Sequence, residues 1–322
     1  MRDHPHFTAY LALICVCFFW GTTYLGIRIA LEAFPPALLV CLRNLLSGTL
    51  TLSAAALIGA QFPRGRALWM TALYGLMVIG MGNGTLAVAE QWIPSGLASL
   101  FVTTSPFWFV GIDALLPGGE RLHAPTIRGL LLGFGGVFLL IAPAAWTALT
   151  EHSFASGGAL VLAFLLLQVS GASWALGSLL QRNQRSRAHP FVLGGIQQLS
   201  TGLALLVPGV WEMPSAHWTA RGLGAIVYLA IFGGIVGYSC YALALSKLPP
   251  AIVSTYTYVN PVVAIFLGWW FYRETFGLRE AGAMAVIFAG VAMVRRASLP
   301  SAPPGSVPVQ KLGADGAAES RQ

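Results

Sequence analysis

The sequence predicts an all-α integral membrane protein: ten transmembrane helices in two inverted five-helix repeats, with both termini cytoplasmic. Three observations carry this expectation. Charge is scarce, ten uncharged apolar runs have spanning length, and a repeat at an offset of about 154 residues leaves five runs in each half.

Asp, Glu, Lys and Arg make up 9% of 322 residues, against about 25% in an ordinary soluble domain. Hydrophobic residues make up 56%, and mean hydropathy is +0.72. A soluble chain of this size clothes its surface in charge, and disordered chains are charge-rich and poor in apolar residues. Both classes are excluded. The 37 glycines have no period of three, which excludes collagen. A spanning helix needs about 20 mostly apolar residues, so ten consume about 200–220 and leave room only for short loops.

The runs place helices at 8–30, 36–60, 67–89, 93–116, 126–144, 157–180, 190–211, 221–245, 250–272 and 278–295. The first is a span and not a signal peptide. Phe7 to Ile27 is uncharged for 21 residues, longer than a usual h-region, and has no clean small-residue cleavage site. The second run holds Arg43. The third holds Gly80-Met81-Gly82-Asn83-Gly84, which lacks the strand and acidic partner of a dinucleotide fingerprint. Runs three, five and eight contain Gly80–Gly84, Gly129–Gly133 and Gly233–Gly237, a spacing that permits close helix contact. The fourth and ninth carry Pro106 and Pro261 near their middles. None alternates polar with apolar residues as barrel strands do. Cys15, Cys17, Cys41 and Cys240 fall inside runs and read as small core residues, with no metal or redox spacing. After Arg296 the chain turns Pro/Gly/Ser-rich, so residues 297–322 read as a disordered cytoplasmic tail.

Basic residues orient the spans. With the N-terminus inside, 13 of the 18 Lys and Arg fall on the cytoplasmic face, while Arg221, Arg273 and Arg279 fall outside. Arg28 and Arg43 lie in or at the edge of spans. The net charge of +7 therefore marks topology, and no aromatic-rich basic patch points to nucleic acid. Trp92, Trp211, Trp269, Trp270 and Tyr272 lie at outer ends as an aromatic belt.

The repeat aligns Trp20-Gly21 with Trp174-Ala175, Pro94-Ser95-Gly96 with Pro249-Pro250-Ala251, and Ser105-Pro106 with Asn260-Pro261. It also aligns Glu120 with Glu274 and Gly136 with Gly290. The halves are 8–144 and 157–296. Five spans is an odd number, so the second half enters the membrane from the opposite side. Inverted repeats of this kind recur in secondary transporters.

The ordered set of motifs resembles a known family. The first half has Phe-Phe-Trp-Gly-Thr-Thr-Tyr (18–24), Phe-Pro-Pro (34–36), Arg43, Ser-Pro (105–106) and Gly-Glu-Arg-Leu (119–122). The second has Gly-Ala-Ser-Trp-Ala-Leu-Gly-Ser (171–178), Tyr-Val-Asn-Pro-Val-Val-Ala (258–264), Arg-Glu-Thr (273–275) and Ala-Gly-Val (289–291). Residues 8–296 resemble two tandem copies of the EamA family of the drug/metabolite transporter superfamily. The resemblance implies ten helices, cytoplasmic termini, a multi-pass protein of the inner or plasma membrane, and export of small metabolites such as amino acids or drugs.

Candidate functional residues are the polar ones that lipid makes expensive. Arg43 lies two turns into its span, where it either meets a solute carboxylate or pairs with carbonyls or an acid. Glu90, with Gln91, either receives an amine or a coupling proton, or is interfacial. Arg28 reads as a snorkelling residue and Asp113 as a loop-side one. Asn83, Ser105, Gln197 and Asn260, together with Gln168 and Gln198, are polar side chains within or beside spans. Trp20 and Trp174 either face a central cavity or pack. Pro106 and Pro261 free the carbonyls of Val102 and Thr257, making either a bending hinge or a static kink. Glu120 and Glu274 are expected to cap the helix that follows or to pair with Arg121 and Arg273.

These readings favour a secondary transporter of a small solute, with a gradient as driving force, because the P-loop pattern is absent. No cofactor or metal is expected. A nucleotide-sugar-type exchanger would want several deep Lys or Arg. An intramembrane enzyme would need a nucleophile and base at one depth, yet all six His fall in loops or tails.

Overall fold

The computed structural model describes residues 7–117, 123–151, 157–183, 188–248, 253 and 256–297. The described residues are almost entirely helical, with no strand among them. Glu120, Arg121 and all but the first residue of the 297–322 tail lie outside the described residues.

The helices are α1 (Phe7–Leu31), α2 (Pro36–Leu57), α3 (Arg66–Gly75), α4 (Gly82–Ala89), α5 (Ser95–Val102), α6 (Ser105–Leu115) and α7 (Ala124–Glu151). They continue as α8 (Ala159–Asn183), α9 (Pro190–Ala204), α10 (Leu206–Glu212), α11 (Ala220–Tyr228), α12 (Tyr238–Lys247), α13 (Tyr256–Tyr272) and α14 (Leu278–Ala297). Six helical stretches are long and apolar enough to cross a membrane: Phe7–Leu31, Pro36–Leu57, Arg66–Ala89, Ser95–Leu115, Ala159–Gln181 and Ala220–Tyr241. The count becomes seven when the bent pair around Leu205 is one span. The molecule is a multi-pass membrane protein.

Several apolar runs are less regular than their hydropathy suggests. The run expected at 93–116 breaks at Thr103–Thr104, just before Pro106, which sits in the first turn of α6. The run expected at 190–211 bends by 48° at Leu205. Pro208 has no N–H for the carbonyl of Ala204, and its ring crowds that carbonyl, which favours a bend at this turn. Two π-helical segments, Leu76–Met81 and Leu229–Gly237, join α3 to α4 and α11 to α12. Helix α7 runs to Glu151, past the expected end at 144, because Ala-Ala-Trp-Thr-Ala-Leu-Thr contains nothing that stops a helix. It carries Pro143 within it.

Off-ladder carbonyls in lipid need partners, and side chains of neighbouring helices supply them. Ser173 Oγ donates to Met77 O (2.8 Å) and Ser170 Oγ to Gly82 O (2.7 Å) around the first π segment. Trp20 Nε1 donates to Gly233 O (3.1 Å) in the second. Ser105 Oγ donates to Val102 O (2.6 Å), the carbonyl freed by Pro106. Thr103 Oγ1 donates to Thr257 O (3.3 Å), the one freed by Pro261.

Helix α2 packs along α9, and α7 along α14. In both, glycine lets the backbones meet. A Cβ on Gly48 would lie 2.5 Å from Leu199 N, and one on Gly202 would lie 2.7 Å from Leu45 N. A Cβ on Gly290 would lie 2.5 Å from Gly133 N. The core contains Ile27, Phe34, Leu38, Leu39, Phe101 and Ile287.

The polar helix ends sort into two groups. At one end Glu212 accepts from Ala37 N (2.8 Å) and Leu38 N (3.1 Å), and His217 N donates to Ala33 O (2.7 Å). There Arg221 also pairs with Glu32 (3.3 Å), and Tyr272 OH donates to Glu32. At the other end Lys247 Nζ reaches Thr8 Oγ1 (3.4 Å).

Candidate functional site

A cavity of about 110 Å³ lies between the two halves of the chain. Six of the nine solute-site candidates line it, each from a different helix: Trp20 (α1), Arg43 (α2), Asn83 (α4), Ser105 (α6), Trp174 (α8) and Asn260 (α13). One wall is an aromatic cluster. Trp20 lies 5.0 Å from Tyr256, 5.1 Å from Tyr241 and 6.1 Å from Trp174, centroid to centroid. The two tryptophans are seated alike. A Cβ on Gly82 would meet the Trp174 ring at 3.1 Å, and one on Gly237 would meet the Trp20 indole. Each large ring fits because the facing helix carries glycine.

Arg43 is 6% exposed, and Asn44 and Gln198 are buried beside the same cavity. Asn260, in the amide orientation that satisfies its neighbours, donates to Cys17 O and Tyr256 O at 3.1 Å. Apolar walls with a few fixed polar groups and one cation are the makings of a small-solute site. The rings offer stacking or cation–π contact, and the guanidinium offers paired donors for a carboxylate.

The remaining three candidates do not line the cavity. Gln197 stands behind it: its Nε2 donates to Gln181 Oε1 (2.9 Å), and its Oε1 accepts from Tyr238 OH (2.7 Å), so it orients a tyrosine that does line the cavity. Gln91 is exposed and donates to Val88 O (3.2 Å). Glu90 is fully buried beneath the α4–α5 turn. Pro106 and Pro261 are not in the lining either, but their neighbours Ser105, Thr257 and Asn260 are. Arg28 is half-buried near the end of α1. Its Nη1 donates to Glu90 O and Ile93 O, both 3.2 Å, and its guanidinium lies 5.8 Å from the Tyr272 ring centre. Glu274 caps a helix, though not the one after it. Its carboxylate accepts from Ser95 N (3.1 Å), Ser95 Oγ (3.1 Å) and Gly96 N (3.2 Å) at the start of α5.

The model of the EamA-like transporter family matches the chain twice, over residues 7–142 and 161–296. The chain belongs to the EamA-like transporter family. YedA of Escherichia coli (strain K12), an uncharacterized inner membrane transporter, is 32% identical over 91% of this chain and 92% of its own. The uncharacterized transporter YvbV of Bacillus subtilis (strain 168) is 25% identical over 92% and 95%. The protein PecM of Dickeya dadantii (strain 3937) is 26% identical over 85% and 87%. A solved crystal structure aligns with a TM-score of 0.63 at 21% identity, covering 89% of this chain and 96% of that one, which shows a shared fold. Both EamA-like copies contribute to the cavity wall: Trp20, Arg43, Asn83 and Ser105 come from the first and Trp174 and Asn260 from the second.

Sequence reasoning passed over several lining residues of this EamA-like chain. Tyr24, Tyr238 and Tyr256 sit in apolar runs rich in aromatics, where nothing distinguishes a cavity tyrosine from a core one. Gln168 reads in the sequence only as a mid-span amide. Its Oε1 accepts from Trp108 Nε1 (2.9 Å) and Thr104 Oγ1 (3.1 Å), bracing the break between α5 and α6.

Proposed function

We propose that this protein is a secondary transporter of ten transmembrane helices in two inverted repeats, with both termini cytoplasmic. In this reading it carries small metabolites, such as amino acids or drugs, outward across the inner membrane by alternating access. The observation that carries this is the convergence of six polar or aromatic candidates, from six helices of both repeats, on one cavity.

The contacts between helix ends support the topology. Residues assigned outside by the basic-residue count (Glu32, Glu90, Glu212, Arg221, Glu274) meet one another's loops, and Thr8 and Lys247, assigned inside, meet each other. Pairs related by the repeat support the inversion: Trp20 with Trp174, and Gly48 against Leu199 with Gly202 against Leu45. The localisation follows the name of YedA. The cavity is smaller than the ~300–1,000 Å³ of most small-molecule sites. It suits a compact solute, and it admits a larger one when the two halves move apart. Arg43 is its only Lys or Arg among the described residues, too little charge for a nucleotide's phosphates, so a single-carboxylate solute fits better than a nucleotide sugar. A gradient supplies the driving force, and a proton is the coupling ion in this reading.

The test is metabolite profiling of the medium around cells that overproduce the protein. The wild-type chain enriches a defined set of solutes, and Trp174→Ala lowers that enrichment at least tenfold at equal protein in the membrane. Identical profiles with wild type, Trp174→Ala and no protein would overturn the reading.

A further inference from the structure

Three helix ends and one turn are tied together at the end of the molecule assigned outside. Arg221 at the start of α11 pairs with Glu32 after α1 (3.3 Å), and its Nη2 donates to Tyr272 OH (3.1 Å) at the end of α13. Tyr272 OH in turn donates to Glu32. Two guanidinium groups lie over the Tyr272 ring, Arg28 at 5.8 Å and Arg221 at 5.9 Å from its centre. Arg28 also holds the turn between α4 and α5 through Glu90 O and Ile93 O. Arg28 and Glu32 belong to the first EamA-like copy, and Arg221 and Tyr272 to the second.

This cluster stands over the cavity. Trp20, Gly233 and Asn260 line the cavity from the same three helical stretches. Glu32 follows Trp20 by twelve residues, Arg221 precedes Gly233 by twelve, and Tyr272 follows Asn260 by twelve. At about 1.5 Å per residue, all three lie about 18 Å along their helices from the cavity, toward one face. Their contacts cross between the two copies, so the halves cannot part at that face while the contacts hold. We propose that Glu32, Arg221, Tyr272 and Arg28 form the outer gate of the transporter, which holds this state shut toward the outside and parts to release solute. This inference rests on the transport reading above.

The repeat does not reproduce these residues at the other face. At the offset that pairs Trp20 with Trp174 and Glu120 with Glu274, Arg28 recurs as Arg182, but Glu32 corresponds to Ser186 and Tyr272 to Gly118. The carboxylate and the phenol of the gate therefore have no counterpart in the sequence. Inverted copies give the two faces equivalent packing, so a gate of this kind at one face alone biases the resting protein toward closure outside. The Arg221 and Glu32 side chains are 61% and 39% exposed. Exposed pairs of this kind are weak, so the gate breaks in each cycle without a large barrier.

The experiment places a cysteine in the cavity wall, Val102→Cys, in a full-length background without the native cysteines, and labels intact cells with a membrane-impermeant maleimide. Ser215→Cys, at the same end as the gate, reports which face carries it. If Ser215→Cys is reached only from the cytoplasmic side, the same comparison is made on inside-out vesicles. With the gate intact, Val102→Cys reacts slowly. Glu32→Gln and Arg221→Gln each raise its rate about two- to fivefold, the population shift expected from losing an exposed ion pair. The swapped pair, Glu32→Arg with Arg221→Glu, returns the rate toward that of the intact gate, which a merely structural role for either residue does not predict. Equal rates for the intact gate and both single variants overturn the proposal. So does a swapped pair as reactive as the single variants. Labelling reads opening and not transport, so its outcome stands apart from the profiling result.

Discussion

Glu274 illustrates how a single side chain ties distant parts of a membrane bundle together. Helix α13 ends at Tyr272, and Arg273 takes the left-handed conformation (φ 54°) that turns the chain back. The carboxylate then folds over Gly268, where a Cβ would collide with it, and reaches the start of α5. Orphan N–H groups at a helix start attract an anion through hydrogen bonds and the helix dipole. Glu274→Ala is expected to lower stability by about 1–2 kcal/mol, in the range of a lost helix cap. Glu274→Gln keeps an acceptor and should cost less. Thermal unfolding in detergent measures both, and an Ala variant as stable as wild type would refute the assignment. The sequence identified Glu274 as a capping residue but pointed to the wrong helix. Its partner lies 179 residues away, and backbone N–H groups carry no sequence label. Arg43 was legible for the opposite reason, since a guanidinium inside an apolar run is costly wherever it points. Tyr238 was not, and Gln197 was legible as a polar side chain in a span but not as the partner behind the cavity, because that relation rests on a hydrogen bond between helices that hydropathy does not register.

At the scale of elements, hydropathy located the helices and missed their irregularities. An apolar run reads the same whether it is α-helical, π-helical or broken, because all three bury similar side chains. Proline is the residue that accompanies two of these irregularities, Pro106 just after the break and Pro208 beside the bend. Yet Pro261 sits inside an uninterrupted α13, where its stripped carbonyl is satisfied by Thr103. Glycine spacing was legible only in part: Gly129, Gly133, Gly233 and Gly237 face close neighbours, Gly84 meets nothing within 4 Å, and Gly48 and Gly202 carry no Gly-x-x-x-Gly spacing. The α2–α9 contact makes this concrete. Gly48 and Gly202 each face the backbone of the other helix, not a pliable side-chain tip. Added methyl groups must push the helices apart, and overpacking of this kind costs about 1–3 kcal/mol. Gly48→Ala and Gly202→Ala should therefore each lower the unfolding midpoint. Gly84→Ala, where a Cβ meets nothing within 4 Å, should not. Equal midpoints for all three would show that α2 and α9 do not approach as closely as described.

For the whole molecule, the decisive question is how one half sits relative to the other. An odd number of crossings per repeat forces equivalent positions to opposite faces of the membrane, whereas an even number places them on the same face. Gln61 and Ser215 are such a pair: both are exposed, Gln61 following α2 and Ser215 following α10, at the same place in the two copies. The basic-residue count assigns Gln61 to the cytoplasm, beside Arg64 and Arg66, and Ser215 to the outside. The Ser215 turn adjoins the start of α2 through Glu212 and His217, whereas Gln61 lies beyond the other end of the same helix, so the two positions stand at opposite ends of α2. In a background with the four native cysteines replaced, Ser215→Cys should react with a membrane-impermeant maleimide on intact cells. Gln61→Cys should react only after the cells are opened. Labelling of both from one side would rule out inversion and, with it, the exchange of conformations between halves on which alternating access at a single central cavity depends.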